Sequence, residues 1–106
     1  MLTVLNPANN TLLKEVNDDI PASISSKYAA ARSAQKTWAA TPLKERIACL
    51  QRFRALVADR MEPLAKTLTA EMGKPIHQAR NELIGLLPRI DFFCDSVAES
   101  IKHEAH

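Results

Sequence analysis

Residues 71–75, Glu-Met-Gly-Lys-Pro, contain the first of only two glycines in this chain of 106 residues. Glycine is often found just past the end of a helix, because it adopts a left-handed backbone conformation at little cost. Proline suits the first turn of a helix, where its missing N–H needs no partner. This stretch therefore predicts a corner at which one helix ends near Gly73 and the next begins near Pro75.

A first helical stretch begins at about Pro21, where apolar residues take spacings of three and four. Thr41 and Pro42 predict its end and the start of the next helix, since threonine caps helices and proline favours the first helical position. The apolar face of this first helix is rich in alanine, so another backbone could approach it closely. The face comprises Ile24, Tyr28, Ala31, Ala34 and Trp38.

Two more helical stretches flank the corner. In the stretch before it, Asp59 and Pro63 predict a break near residues 59–62, because an interior proline removes a helical hydrogen bond. The stretch after it runs from about Pro75 to Lys102, and Gly85 and Pro88 are expected to weaken or kink it. Its apolar residues in helical register are Ala79, Leu83, Leu86, Ile90, Phe93, Val97 and Ile101.

The N-terminal residues have a different pattern. Two short apolar or β-prone runs, residues 2–5 and 11–16, are separated by Asn-Pro-Ala-Asn-Asn. This spacer has turn chemistry, because proline fixes φ and asparagine tolerates left-handed geometry. The predicted fold is therefore mainly α: one segment over residues 1–106, with a short β-hairpin over 1–18 and three to four amphipathic helices over 21–104.

Composition excludes several classes of partner. The 14 basic and 12 acidic residues give a net charge of +2 without the clustered excess that nucleic-acid binding requires. No apolar run approaches the ~18 residues of a membrane span, and the first residues lack the pattern of a signal peptide. Cys49 and Cys94 lie among apolar neighbours, which favours two reduced thiols over a disulfide. We expect a cytoplasmic protein that binds neither nucleic acid nor membrane.

The residues that carry common catalytic chemistry are sparse. Gly73 and Gly85 are too few for a phosphate-binding loop, which needs several glycines. Cys94 has no assignable base, and Glu82 is either a buried acid or, as we favour, a residue of a helix surface. The three histidines lack the clustering with cysteine or carboxylate that a zinc site requires; they are His77, His103 and His106. We therefore assign no catalytic and no cofactor-binding residue.

Four motifs, taken in order, resemble the beginning of aldehyde dehydrogenases. They are "NPANNTLLKEV" at 6–16, "AAARSAQKTW" at 29–38, "PLKERIACLQRFRALV" at 42–57 and "AEMGKPIHQARNEL" at 70–83. Each motif is weak singly, but the ordered set at these spacings is specific and covers residues 3–100. The pairing of "EMGKPI" with "AARSAQKTW" most resembles the succinate-semialdehyde dehydrogenase branch.

The resemblance implies an N-terminal segment of an enzyme that oxidises an aldehyde, such as succinate semialdehyde, with NAD or NADP. In that family the segment belongs to an α/β Rossmann-type cofactor domain, and the nucleophilic cysteine, catalytic glutamate and cofactor glycines lie further along the chain. We therefore expect this chain alone to be inactive and to bind no cofactor. Its expected partners are the remainder of such a chain and, in isolation, further copies of itself. The alternative is a separate helical interaction module derived from the family.

The resemblance also implies two site positions. Glu71 matches an acidic residue that helps to bind a structural monovalent cation, together with backbone carbonyls that here lie around Val4 and Leu5. A simple ion pair between Glu71 and Lys74 is the alternative. Gly85 matches a helix that borders the substrate tunnel, at a position where many members have a bulkier residue.

Overall fold

The structure, a computed structural model, describes residues 1–102 and consists of a two-stranded hairpin followed by four α-helices. This confirms the predicted mainly α fold. The last helix was predicted to run to residue 104, but it ends at Ser100. His103 and His106 lie outside the described residues. The elements are β1 (Leu2–Leu5), β2 (Leu12–Val16), α1 (Pro21–Ala40), α2 (Leu43–Asp59), α3 (Met61–Met72) and α4 (Ile76–Ser100).

The N-terminal hairpin is antiparallel, with Leu2 opposite Val16, and its turn is built by asparagines. The Asn6 carbonyl accepts a hydrogen bond from the Asn10 N–H at 2.7 Å. Asn10 has φ 60°, a left-handed conformation that asparagine tolerates better than most residues. The ladder is irregular between Val4 and Leu5, where one residue of β2 has no opposite partner.

The junction between α1 and α2 differs in detail from the prediction. Thr41 was expected to cap the start of α2, but its hydroxyl donates to the Thr37 carbonyl at 2.9 Å and so closes the end of α1. Pro42 precedes the first residue of α2, and no side chain caps that helix. The predicted break in the next stretch is confirmed: α2 ends at Asp59, and α3 begins at Met61.

Helix α4 forms the centre of the packing, because it lies against both α2 and α3. Pro88 lies inside it without ending it. The buried residues are small or medium in size, with Ala65 on α3 and Ala79 on α4 both 0% exposed. Alanine at these positions lets the helix backbones approach closely. The other buried residues are Val57 and Cys94.

Two arginine–carboxylate pairs join helices at the edges of this core. Arg54 on α2 donates to both carboxylate oxygens of Asp91 on α4, at 2.8 and 3.1 Å. Arg80 on α4 donates to both oxygens of Glu62 on α3, at 2.9 and 2.7 Å. These two-point contacts fix the relative orientation of the helices more firmly than a single hydrogen bond would.

The described residues leave an unusually large surface uncovered. No residue of α1 is buried by any other part of residues 1–102, although its alanine-rich face would allow another backbone to approach closely. The Cα radius of gyration is 18.6 Å, against about 13 Å for a compact domain of this length. The accessible surface is 8550 Å², whereas a folded monomer of this mass exposes about 5,900 Å².

Large aromatic side chains contribute to that uncovered surface. Trp38, Phe53, Phe92 and Phe93 are all exposed. Phe92 and Phe93 contact each other edge to face, with ring centroids 5.4 Å apart. In the described part of the chain, no helix combines the length and the apolar character needed to cross a membrane.

The ion pair between Arg80 and Glu62 predicts a specific pH dependence of stability. The two hydrogen bonds from Arg80 lower the pKa of the Glu62 carboxyl from its usual value. A lowered pKa in the folded state adds stability above the unfolded pKa, and this contribution is lost as pH falls through the folded pKa. We expect the unfolding free energy to fall as pH is lowered through and below about 4.5, and to fall less steeply for Glu62→Gln.

Urea unfolding from pH 6 to pH 3 measures that difference in slope. Glu15→Gln is the matched control, because Glu15 is an exposed carboxylate that makes no ion pair within residues 1–102. Equal slopes for Glu62→Gln and the unmutated chain would contradict the prediction.

Candidate functional site at the helix corner

The corner between α3 and α4 is the feature around which the candidate site residues lie. Gly73 ends α3 with φ 74°, and its N–H donates to the Thr69 carbonyl at 2.9 Å. Residues with a side chain rarely adopt this left-handed conformation. Pro75 then precedes α4, which begins at Ile76. The corner predicted from residues 71–75 is therefore present.

The turn of the N-terminal hairpin packs directly against this corner. A Cβ atom placed on Gly73 would lie 2.8 Å from Cγ of Pro7, closer than such atoms can approach. Glycine is therefore required here for two independent reasons, its backbone conformation and the proximity of the Pro7 ring. The sequence indicated the first reason, but nothing in it indicated that the hairpin and the corner meet.

Lys74 makes an ion pair across the corner, but not with Glu71. Its ammonium donates to the Glu82 carboxylate, which lies about two turns into α4. The alternative that paired Lys74 with Glu71 is therefore wrong. Helical periodicity could not reveal the actual partner, because Lys74 precedes the helix that carries Glu82. Glu82 is exposed, as expected for a residue of a helix surface.

Glu71 lies in the last turn of α3 with an exposed side chain. It makes no ion pair with any residue between 1 and 102. The C-terminal end of a helix carries a partial negative charge, so a carboxylate there is unfavourable by about 0.3–1 kcal/mol unless a cation compensates it. Glu71 is therefore placed unfavourably with respect to the dipole of α3.

The backbone of β1 is the second element of the expected cation site. Val4 is half-buried and Leu5 is exposed, and the ladder irregularity falls between them. The extra residue is Leu13 of β2, and a bulge of this kind bends the strand that carries it. The contact between Pro7 and Gly73 brings the turn that follows Leu5 to the corner that follows Glu71. The turn of the hairpin and Glu71 therefore lie at the same end of the molecule.

Gly85 borders an open groove along α4. Among residues 1–102, a Cβ atom on Gly85 would meet no atom within 4 Å, so the absent side chain leaves free space there. The adjoining cavity has a volume of about 360 Å³ and combines polar and apolar side chains. Its lining residues are Asn81, Glu82, Leu83, Gly85, Leu86 and Arg89.

The remaining side chains of possible catalytic use are dispersed. Cys49 is half-buried and Cys94 is buried, and both are free thiols. His77 is exposed near the start of α4. Over residues 1–102, no three side chains of histidine, cysteine, aspartate or glutamate come together as a set that could hold a metal ion.

The sequence profile of the aldehyde dehydrogenase family matches the whole chain, residues 1–106. The chain belongs to the aldehyde dehydrogenase family. Two relatives illustrate the match. N-succinylglutamate 5-semialdehyde dehydrogenase 2 of Caulobacter vibrioides is 33% identical over 90 residues, which are 85% of this chain and 19% of the relative. The 3-sulfolactaldehyde dehydrogenase of Pseudomonas putida is 36% identical over 92 residues, which are 87% of this chain and 19% of the relative.

A third relative bears on the branch of the family. A Mycobacterium bovis protein named as a succinate-semialdehyde dehydrogenase is 33% identical over 81 residues, which are 76% of this chain and 16% of that protein. The relatives differ in the substrates that their names print, so they establish the family rather than one branch. The chain spans about a fifth of the length of the curated relatives it matches. No solved structure matches it.

The two glycines predict opposite effects of the same substitution. Gly73→Ala should destabilise this aldehyde dehydrogenase segment by at least about 1–2 kcal/mol, because alanine disfavours the left-handed backbone and its Cβ would displace Pro7. Gly85→Ala should stabilise it by about 0.5–1 kcal/mol, because a helical glycine is replaced where space is free. Urea unfolding monitored by circular dichroism measures both changes.

A third substitution separates the two causes at Gly73. Pro7→Ala removes the Cγ atom that lies nearest to the position of the new Cβ. Gly73→Ala should therefore cost less in the Pro7→Ala background than in the unmutated chain. An equal cost in both backgrounds would show that the ring of Pro7 does not restrict residue 73.

Proposed function

We propose that this chain is the N-terminal segment of an NAD(P)-dependent aldehyde dehydrogenase and that it works as part of the longer polypeptide. The family match over the whole chain, together with its span of about a fifth of the relatives' length, carries this proposal. The accessible surface of 8550 Å² supports it, because uncovered helix faces of this extent suit a segment that packs on further structure. A cytoplasmic location agrees with the two free thiols.

The proposed reaction converts an aldehyde and water to a carboxylate. A nicotinamide cofactor, when bound, accepts the hydride that leaves the substrate. In this proposal the reactive thiolate and the acid–base carboxylate belong to the remainder of the polypeptide, and neither Cys49 nor Cys94 takes the role of nucleophile. The described residues contribute the helical wall formed by α2, α3 and α4 and the corner that anchors the hairpin to it.

For the substrate, we propose an aldehyde that also carries an anionic group, with succinate semialdehyde as the first candidate. The resemblance of residues 30–38 and 71–76 to the succinate-semialdehyde branch supports this choice. The names of three relatives, which refer to succinylglutamate semialdehyde, sulfolactaldehyde and succinate semialdehyde, point to acidic aldehydes. We further propose that Gly85 borders the substrate tunnel, which the open groove on α4 supports.

The test is to express the complete reading frame that contains residues 1–106 and to assay it against the isolated chain. The complete protein should reduce NAD or NADP with succinate semialdehyde, as followed by absorbance of the reduced cofactor. The isolated chain should show no activity and no cofactor binding by calorimetry. A stop codon directly after His106 would instead favour the separate interaction module. Micromolar binding of NAD by the isolated chain would refute the proposal that the cofactor-binding residues belong to the remainder of the polypeptide.

A structural monovalent cation is the second part of the proposal. We place Na⁺ or K⁺ between the Glu71 carboxylate and the backbone carbonyls of Val4 and Leu5, since hard cations prefer oxygen ligands. The lack of an ion pair on Glu71 within residues 1–102 and the contact of Pro7 with Gly73 support this placement. The cation would then offset the negative end of the α3 dipole and tie the hairpin to the corner.

Thermal melting in sodium, potassium and choline chlorides at equal ionic strength tests the cation site. We expect a higher melting temperature in at least one of the two metal salts than in choline chloride. Glu71→Gln should remove the difference, and Glu15→Gln should preserve it. Identical melting of the unmutated protein in all three salts would exclude a specific cation site.

We also propose that the isolated chain associates with itself, because the exposed aromatic faces would otherwise remain in water. Sedimentation velocity should show an oligomer at micromolar concentration. A monomer that binds no hydrophobic dye would contradict this expectation.

A further inference from the structure

Arg46, near the start of α2, differs from the other arginines in its surroundings. Of the seven arginines in the chain, only Arg46 and Arg54 are half-buried. Arg54 is satisfied by both carboxylate oxygens of Asp91. The Nε atom of Arg46 is buried and finds no hydrogen-bond acceptor within residues 1–102. Buried polar groups of folded proteins are almost always hydrogen-bonded, so this N–H requires a partner.

Arg46 is also one of the residues that line a groove at the surface. The end of α1, the start of α2 and the last turns of α4 meet there around a cavity of about 210 Å³. Its walls are mainly apolar and include Trp38, Leu50, Phe93 and Val97, with Cys94 buried beneath them. Trp38 and Phe93 are 45% and 66% exposed. The groove thus combines uncovered aromatic surface with one unsatisfied cationic donor.

Water is a poor occupant of this groove. A water molecule held in a protein typically makes about three hydrogen bonds to polar groups, whereas the named walls offer apolar side chains around a single guanidinium. A protein segment can supply both kinds of contact at once. It would present an apolar side chain to Trp38 and Phe93 and an acceptor to Arg46.

We propose that this groove is the docking site for a segment of the remaining aldehyde dehydrogenase polypeptide, and that this segment carries an aspartate or glutamate opposite Arg46. The proposal rests on the proposed function. A carboxylate is favoured over a neutral acceptor because it matches the fork of a guanidinium. The two other arginines that join helices in this molecule, Arg54 and Arg80, both take a carboxylate in this manner.

The same polypeptide is favoured over a second copy because relatives are about five times as long as this chain. A segment of the same polypeptide is held near the groove at a high effective concentration, whereas a second copy of the chain must be captured from solution. Unlike the cation site and the groove at Gly85, this surface lies toward the C-terminal end of α4.

A photo-crosslink identifies the occupant directly. Leu50 lines the groove and is exposed, so we would replace it with p-benzoylphenylalanine in the complete protein and irradiate. The expected crosslink joins residue 50 to a peptide of the same polypeptide outside residues 1–106, within a few positions of an aspartate or glutamate. A crosslink between two polypeptides, or one confined to residues 1–106, would overturn the proposal.

A pair of arginine substitutions tests the charge. In the complete protein, Arg46→Gln should lower the melting temperature by at least about 2 °C, because it leaves the partner carboxylate unpaired. Arg52→Gln is the control, since Arg52 is an exposed residue of the same helix outside the groove. In the isolated chain, Arg46→Gln should be neutral or stabilising, because there the substitution removes an unsatisfied donor. Equal destabilisation in both proteins would refute the proposal.

These measurements separate the two proposals. Absence of dehydrogenase activity from the complete protein would count against the proposed function itself. An active enzyme in which residue 50 crosslinks elsewhere, or in which Arg46→Gln behaves like Arg52→Gln, would refute only the docking site.

Discussion

The left-handed backbone at Gly73, in contact with the ring of Pro7, is the constraint on which this arrangement depends. It ends α3 and redirects the chain, so that α4 returns along both α2 and α3. The core then forms where the small side chains Ala65 and Ala79 allow the helices to approach. The same contact holds the hairpin beside Glu71, so the fold of the segment and its proposed cation site share one cause.

The core that results is small, because most of the large apolar side chains in the sequence are not buried in it. Only four hydrophobic residues are buried among residues 1–102, while aromatic side chains on α1, α2 and α4 remain in water. Hydrophobic burial is the main favourable term in folding, so faces of this kind are expected to pack on further structure. The small number of buried apolar residues therefore supports the proposal that this member of the family works within a longer enzyme.

The charged side chains fall into two groups, those that find a partner within residues 1–102 and those that do not. Arg54 and Arg80 find carboxylates on neighbouring helices, and Lys74 finds Glu82 across the corner. Arg46 and Glu71 find no ion-pair partner in the described part of the chain. These two residues lie toward opposite ends of the segment. Each marks a place where we propose that an external group, a carboxylate at one end and a cation at the other, completes the structure.

The sequence alone determined the elements, because helix ends, hairpin turns and apolar periodicity are local properties of the chain. Gly73, the Asn-Pro-Ala-Asn-Asn turn and the break near Arg60 were all predictable for that reason, as was the family from its ordered motifs. Only the tertiary structure decided that Pro7 meets Gly73, that Lys74 pairs with Glu82 rather than Glu71, and that Nε of Arg46 lacks an acceptor within residues 1–102. These contacts join residues from different elements, and their geometry depends on how the helices pack, which no local pattern encodes.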